Sequence, residues 1–332
     1  MKEARNTPIL FLIFNRPDTT AQVFSAIAKA KPRHLFIAAD GSRSDREEEI
    51  EKCRETRDII KRIDWECDVK TLFRDENLGC KVAVSSAITW FFEYVEAGII
   101  LEDDCLPSDT FFSFCTELLE KYVDDERVMM ISGNNFQDGI RRGDASYYFS
   151  RIPHIWGWAT WRRAWQLYDV KMSSFPEFLV EGSIKRVSNN VDVQNFHLSS
   201  FIATYEGRID TWDYQWQYAI FSCGGLSICP QVNLVSNIGF GFDATHTRSF
   251  EDPCAERPIN TINGISHPLV GGELPANVLA DDYEYKTIFG VGGYLKRRWP
   301  LRWWKVWRKR QKSKKFIRAF LLEYCSEMNS SS

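Results

Sequence analysis

Through the first 135 positions of the chain, short unbroken apolar runs alternate with longer amphipathic stretches. Residues 8–14 are apolar without interruption, which suits a strand buried on both faces, and the turn Asn15-Arg16-Pro17-Asp18 follows them. Residues 19–29 then read as a helix capped by Asp18 or Thr19 and ended at Lys31-Pro32. Residues 34–39 predict a second strand closing on Asp40-Gly41, 44–63 an acidic helix, 69–73 a third strand and 78–94 a further helix. Ile99-Ile100-Leu101 predicts another strand, 111–122 a helix and 128–133 a strand again. Such alternation is the grammar of a parallel sheet with right-handed crossovers. The second half is less regular. A helix is predicted near 163–168, one from about 211 to 222, a short strand at 226–230 and a glycine-containing loop at 239–247.

Three acids, Glu102-Asp103-Asp104, come directly after the apolar run 99–101. Unpaired carboxylates inside a sheet would cost several kcal/mol each, so these must emerge at the strand's carboxyl end, where open α/β sheets bind ligands. Hard oxygen donors there suit Mg²⁺ or Mn²⁺, ions that share their coordination with substrate phosphates. Taken alone the segment reads equally well as a solvated turn before a helix. Asn15-Arg16 and Asp40-Gly41 also follow predicted strand ends, so the topology directs all three segments to one crevice. Arg16 suits a phosphate and Asp40 the hydrogen-bond donors of a base or ribose, although a surface charge and a turn dipeptide are the plainer readings. No GxGxxG and no P-loop follows the first run, which argues against a Rossmann dehydrogenase or a P-loop enzyme.

Composition narrows the setting. The 332 residues are ordinary for a globular protein, at 44% hydrophobic and 26% charged, and could form one large elaborated α/β domain. Nine scattered cysteines without a CxxC pair argue against structural zinc and for reduced thiols, hence a cytoplasmic setting. No apolar run approaches the ~20 residues of a membrane span. Residues 296–332 hold twelve Lys or Arg and two acids, so they carry +10 while residues 1–295 carry −13. In that tail Trp299, Trp303, Trp304 and Trp307 alternate with cations, a combination suited to an anionic membrane surface. Nucleic acid is disfavoured as a partner by the acidic body.

Three ordered blocks carry a resemblance: "LEDDCLPSDTFFSF" at 101–114, "WGWATWRRAW" at 156–165, and "TWDYQWQYAIFSCGGLSICPQVNLVSNIGFGFDATHT" at 211–247. Together they are similar to the GT-A nucleotide-sugar glycosyltransferases, and within them to the inverting, metal-dependent N-acetylglucosaminyltransferase I family. The resemblance spans residues 8 to about 247 and is weakest over 138–150 and 170–208. It implies an α/β GT-A fold with a mostly parallel central sheet flanked by helices; the expected division is a nucleotide-sugar half at 1–137, an acceptor and catalytic half at 138–290 and, read from charge alone, a basic helical tail at 291–332. It further implies Asp104 as ligand of Mn²⁺ or Mg²⁺, Glu102 and Asp103 supporting metal and donor, Arg16 and Asp40 contacting the uridine nucleotide, and Asp213 as general base. This chain has Asp213-Tyr214 where the family carries two consecutive acids, and Ser85 where it carries a His near the donor.

Lys81 is a further candidate donor contact, and His246 a candidate metal or diphosphate ligand, beside Arg248. Trp156, Trp158 and Trp212 are candidate acceptor contacts, with core packing as the plain alternative for such rings. The expected reaction moves a sugar from a nucleotide-diphosphate donor, a UDP-sugar foremost, to a hydroxyl of a glycan or lipid-linked saccharide, with inversion. A nucleotidyltransferase acting on sugar phosphates, or a catalytically inactive sugar- or membrane-binding protein, are the rival readings. The expected location is the cytoplasmic face of a membrane, peripherally attached through 296–318.

Overall fold

The computed structural model describes residues 3–240, 254–255, 257–269, 272–291 and 317–322. Ten strands are named here in chain order: β1 Ile9–Ile13, β2 His34–Ala39, β3 Asp68–Phe73, β4 Ala97–Glu102, β5 Cys105–Pro107, β6 Val128–Ser132, β7 Tyr147–Ser150, β8 Trp158–Trp161, β9 Leu226–Pro230 and β10 Val235–Asn237. Eight of them form one sheet in the order β3-β2-β1-β4-β8-β6-β9-β7, and β5 pairs with β10 in a separate ribbon. Strands β3, β2, β1 and β4 are mutually parallel, as are β6 and β9, while β8 and β7 run antiparallel to their neighbours. The protein is therefore a mixed α/β fold with a large, mostly parallel central sheet.

The helices that carry the crossovers are α1 Pro17–Ala30, α2 Glu47–Arg57, α3 Gly79–Tyr94 and α4 Phe111–Lys121, with a short α5 Arg162–Trp165 after β8. Strand β1 is buried along its whole length, as its unbroken apolar run requires. Its two faces serve different layers. Ile9, Phe11 and Ile13 share a core cluster with Val23, Phe24 and Ile27 of α1 and with Phe111, Phe114 and Leu118 of α4. On the neighbouring strand Phe36 meets Phe91 of α3 at 4.9 Å between ring centroids. Each such fully buried side chain contributes roughly 1.5–3 kcal/mol.

Helix boundaries differ from expectation where local chemistry decides. Helix α1 starts at Pro17 rather than Thr19, because proline at the first helical position has no N–H to leave unsatisfied. The Thr20 hydroxyl and N–H both donate to the Arg16 carbonyl, at 2.6 and 3.0 Å. The acidic helix ends at Arg57 and tightens into a 3₁₀ turn over Asp58–Arg62.

By internal packing the chain forms two compact units, one running to Leu167 with Leu226–Ala276, the other holding Tyr168–Gly225 and the chain from Asn277. The first unit contains the sheet. The second is helical among its described residues, with α6 Phe175–Val180, α7 Val191–Tyr205, α8 Asp213–Ser222 and α9 Val278–Thr287. Asn190 caps α7 by accepting from the Asp192 N–H at 2.9 Å. Phe175, Phe201, Tyr218 and Phe221 form the aromatic centre of this unit. The eight described cysteines are free thiols. No helix of the described residues is long and apolar enough to cross a membrane.

Candidate nucleotide and metal site

Register brings three strand ends together. Ile13 pairs with Ala39 and Leu12 with Glu102, so Phe14, Asn15 and Arg16 leave the sheet between Asp40 on one side and Asp103-Asp104 on the other. All of these residues belong to the sheet-bearing unit. Asp103 is buried, and its Oδ2 accepts from the Phe14 N–H at 3.1 Å. Arg16 Nη1 donates to Asp104 Oδ2 at 2.6 Å and lies 3.7 Å from Asp103 Oδ1.

The electrostatics follow from burial and like charge. Burial first, then the neighbouring Asp104, push the Asp103 carboxyl well above the usual carboxylate range, against the pull of Arg16 and the Phe14 N–H. Burial works against the Arg16 charge, but Asp103 and Asp104 outweigh it and hold the guanidinium above its ordinary value. Arg16 is the counter-ion that lets two adjacent acids share a strand end.

The β5–β10 ribbon walls the other side of Asp104. Asn237 pairs with Cys105, and the Ile238 N–H donates to the Asp104 carbonyl at 2.8 Å. A Cβ on Gly239 would overlap the Asp104 carboxylate, so the glycine is what allows the chain to pass there. Gly239 is itself held by its N–H donating to Asn237 Oδ1 at 2.8 Å. Glu102, half-buried, ends β4.

Asp40 has structural work in addition to any contact with ligand. Its carboxylate accepts from the Leu78 N–H at 3.0 and 3.1 Å and from the Gly79 N–H at 3.1 Å, two of the donors that the start of α3 leaves unsatisfied. It caps a helix 38 residues away. Gly41 is equally committed, since a Cβ there would overlap the Glu76 backbone, and its carbonyl accepts from Asn77 Nδ2 at 2.8 Å. Lys81 sits on the first turn of α3, half-buried. Ser85 donates to the Lys81 carbonyl at 2.6 Å, an intrahelical bond that occupies its hydroxyl.

The tryptophans divide. Trp158 is fully buried on β8, paired with Ile100 and Ser132, and Trp212 is 2% exposed. Both rings are packed in the interior, the plain alternative to an acceptor contact. Trp156 is half-buried and packs edge-on against Phe136 and Phe240 at 5.9 and 5.7 Å. Asp213 stands in the helical unit as the first residue of α8, where its Oδ1 accepts from the Thr211 hydroxyl and from the Tyr214 N–H at 2.9 Å. His246, Arg248 and residues 296–316 lie outside the described residues.

Two contributors escape the sequence reading. Glu49 on α2 is 3% exposed and accepts from Asn15 Nδ2 at 3.1 Å and from the Arg43 N–H and Nε at 3.3 and 2.9 Å. Its signal lies in the helical period, because Glu49, Cys53 and Thr56 are the buried positions of α2 at spacings of four and three. Asn134, buried just beyond β6, donates from Nδ2 to the Val235 carbonyl at 3.2 Å, and its Oδ1 has no partner among the described residues. The polar run after the apolar strand 128–131 was its only signal.

Among the described residues no group of three or more His, Cys, Asp or Glu could hold a metal ion by itself. Asp104 offers one carboxylate at a strand end, with Asp103 behind it engaged to the backbone, which suits a divalent cation that brings phosphate and water as its other ligands.

No protein-family model matches the chain, and no curated protein matches it in sequence. Among the solved structures that are similar in part are the following two. HddC from Yersinia pseudotuberculosis aligns over 47% of this chain and 77% of its own, at 9% identity and a TM-score of 0.29. The inositol-1-phosphate CTP transferase from T. maritima aligns over 50% of this chain and 75% of its own, at 8% identity and a TM-score of 0.28. At such scores no argument rests on the likeness.

Proposed function

We propose that this chain is a transferase acting on nucleotide-linked sugars, and more finely an inverting, metal-dependent glycosyltransferase of GT-A type. The observation that supports it is the meeting of Arg16, Asp103 and Asp104 within 4 Å at the carboxyl ends of β1 and β4. A guanidinium beside a strand-end carboxylate is what a nucleoside diphosphate with its cation requires. Asp104 would hold Mn²⁺ or Mg²⁺, which supplies charge stabilisation to the departing diphosphate.

The chain's own residues divide the remaining work. Arg16 neutralises phosphate, and Lys81 adds a second cation from the helix that Asp40 caps. Glu102 and Asp103 support the donor sugar side. Asp213 removes the acceptor hydroxyl's proton as that oxygen attacks the anomeric carbon, and a single displacement inverts the configuration. Its Oδ1 is tied by Thr211 and Tyr214, which leaves Oδ2 for the proton. Trp156 contributes an aromatic face for the glycan or lipid-linked acceptor. His246 as a ligand of the metal or the diphosphate, and residues 296–318 as the contact with an anionic membrane surface, complete the reading.

A nucleotidyltransferase acting on a sugar phosphate is the second reading. The same cation and carboxylate would serve pyrophosphate as leaving group. The turn Asn15-Arg16-Pro17-Asp18 has no glycine to let the backbone wrap a triphosphate, which favours glycosyl transfer. One assay separates the two. The purified chain is incubated with UDP-, GDP- and CDP-sugars and Mn²⁺, and separately with nucleoside triphosphates and sugar 1-phosphates. Nucleoside diphosphate release in the first arm supports the proposal. Pyrophosphate release confined to the second overturns it in favour of the alternative, and silence in both arms removes the enzyme reading.

A further inference from the structure

Arg16 is bonded to the same carboxylate that the proposed ion needs. Its Nη1 donates to Asp104 Oδ2 at 2.6 Å, and a guanidinium remains charged at every relevant pH. The Asp104 carboxylate has little room to turn to another partner. Its Oδ1 lies 3.5 Å from the Cys105 thiol, Gly239 closes against the carboxylate, and the Asp104 carbonyl is tied to the Ile238 N–H. A divalent cation reaching Asp104 therefore meets a cation already in place.

The two ends of Arg16 differ in freedom. Its backbone is fixed, since its carbonyl accepts from both the N–H and the hydroxyl of Thr20 on α1. Its side chain is long, rotatable and about one-fifth exposed, so the guanidinium can leave Asp104 without any movement of the helix. Once displaced it needs another anion, because a half-buried guanidinium without one loses its main compensation for desolvation. The diphosphate is the anion that arrives with the metal.

We propose that Arg16 exchanges partners: it occupies Asp104 in the free protein and the diphosphate in the complex, so that ion and nucleotide bind strongly only together. This rests on the reading of the site as a nucleotide–metal site and adds to it a built-in coupling. The coupling is reciprocal, as linkage demands. It also keeps the two adjacent acids neutralised when no metal is bound.

The test measures binding rather than turnover. Mn²⁺ alone, then UDP, GDP and CDP with and without Mn²⁺, are titrated by calorimetry into the full chain, its Arg16→Gln and Arg16→Lys variants, and Asp104→Asn. Arg16→Gln should bind Mn²⁺ alone about tenfold more tightly than the parent and lose most of the enhancement that Mn²⁺ gives to nucleotide binding, within the range usual for coupled sites. Arg16→Lys keeps the charge and should stay near the parent in Mn²⁺ affinity, which keeps the comparison available should Arg16→Gln fold poorly. Equal or weaker Mn²⁺ binding by Arg16→Gln, in a parent that binds Mn²⁺ and nucleotide together, overturns the exchange and leaves the site reading intact. Should Arg16→Gln not fold, Arg16→Lys decides, and an Arg16→Lys that binds Mn²⁺ alone as tightly as it does with nucleotide overturns the exchange. No binding of either ligand to the parent overturns both.

Discussion

Asn15 and Glu49 are joined across 34 residues of sequence, the Asn15 side-chain amide donating to Glu49 Oε1 at 3.1 Å. The bond ties the turn after β1 to α2, and through Arg43 it ties the loop after β2 as well. Arg43 in turn lies over the Phe14 ring at 5.6 Å. One buried carboxylate thus sets the spacing of two of the three strand ends around the candidate site.

Glu49→Ala should lower stability by about 1–3 kcal/mol, the range for removing a buried hydrogen-bonded acceptor whose partner can still reach water. Glu49→Gln, which keeps one acceptor oxygen, should cost less. Urea unfolding midpoints check this, and an unchanged midpoint for Glu49→Ala would show that the network is ornamental. Nucleotide affinity should fall in parallel, because Asn15 and Arg43 lose their common anchor.

Gly239→Ala places a methyl group against the Asp104 carboxylate. The nearest atoms that the methyl group would meet all belong to the Asp104 side chain, so the fold should survive with a melting temperature within a few degrees of the parent. Mn²⁺-dependent nucleotide binding should fall more than about tenfold, the scale of roughly 1.4 kcal/mol of disturbed geometry. Parent-like binding would mean that Asp104 is not where the ion sits.

Asp213→Asn keeps the Oδ1 acceptor that Thr211 and Tyr214 use, so the start of α8 should hold its shape. Only the basicity is lost. Sugar transfer should drop by roughly 10²–10⁴-fold, the usual worth of a positioned general base, with donor affinity unchanged. Full transfer activity would remove Asp213 from the reaction.

His197 in the helical unit is buried against Phe201, Phe221 and Tyr285, and its Nε2 pairs with the Tyr285 hydroxyl at 2.9 Å. Burial pulls it down from 6.5 to about 3, so the folded state keeps it neutral where the unfolded chain takes up a proton. Its contribution to stability is therefore complete above pH 6.5 and is lost as pH falls from 6.5 toward 3, by up to about 1.4 kcal/mol per unit. His197→Gln should flatten the dependence of unfolding free energy on pH between 7 and 5. Identical slopes in parent and variant would contradict the assignment.

Much of the sheet-bearing unit was legible because its elements announce themselves locally. β1 is an unbroken apolar run, β2 and β4 are apolar but for His34 and Glu102 at their ends, and α1 and α4 carry an apolar stripe at helical spacing. β7, at four residues, and β8, inside a tryptophan-rich stretch, were not legible as strands. Both are antiparallel insertions whose partners lie far along the chain, and short strands have too few positions to show a period. Helices α6, α7 and α9 were missed in a region where polar and aromatic residues mix without a clear stripe, which their shared aromatic packing resolves only in three dimensions.

By itself the sequence determined that three polar segments leave the carboxyl ends of parallel strands, since an apolar run followed by acids admits few other placements. Only the tertiary structure decided what each one faces. Asp104 is bonded to Arg16, 88 residues away, Asp40 turns both oxygens to the start of α3, and Trp158, on the strand between β4 and β6, is buried with its ring against Trp165. Burial periodicity is a local property of a few neighbouring residues. The partner of a charge is set by sheet register and crossovers, which join residues that no local pattern relates.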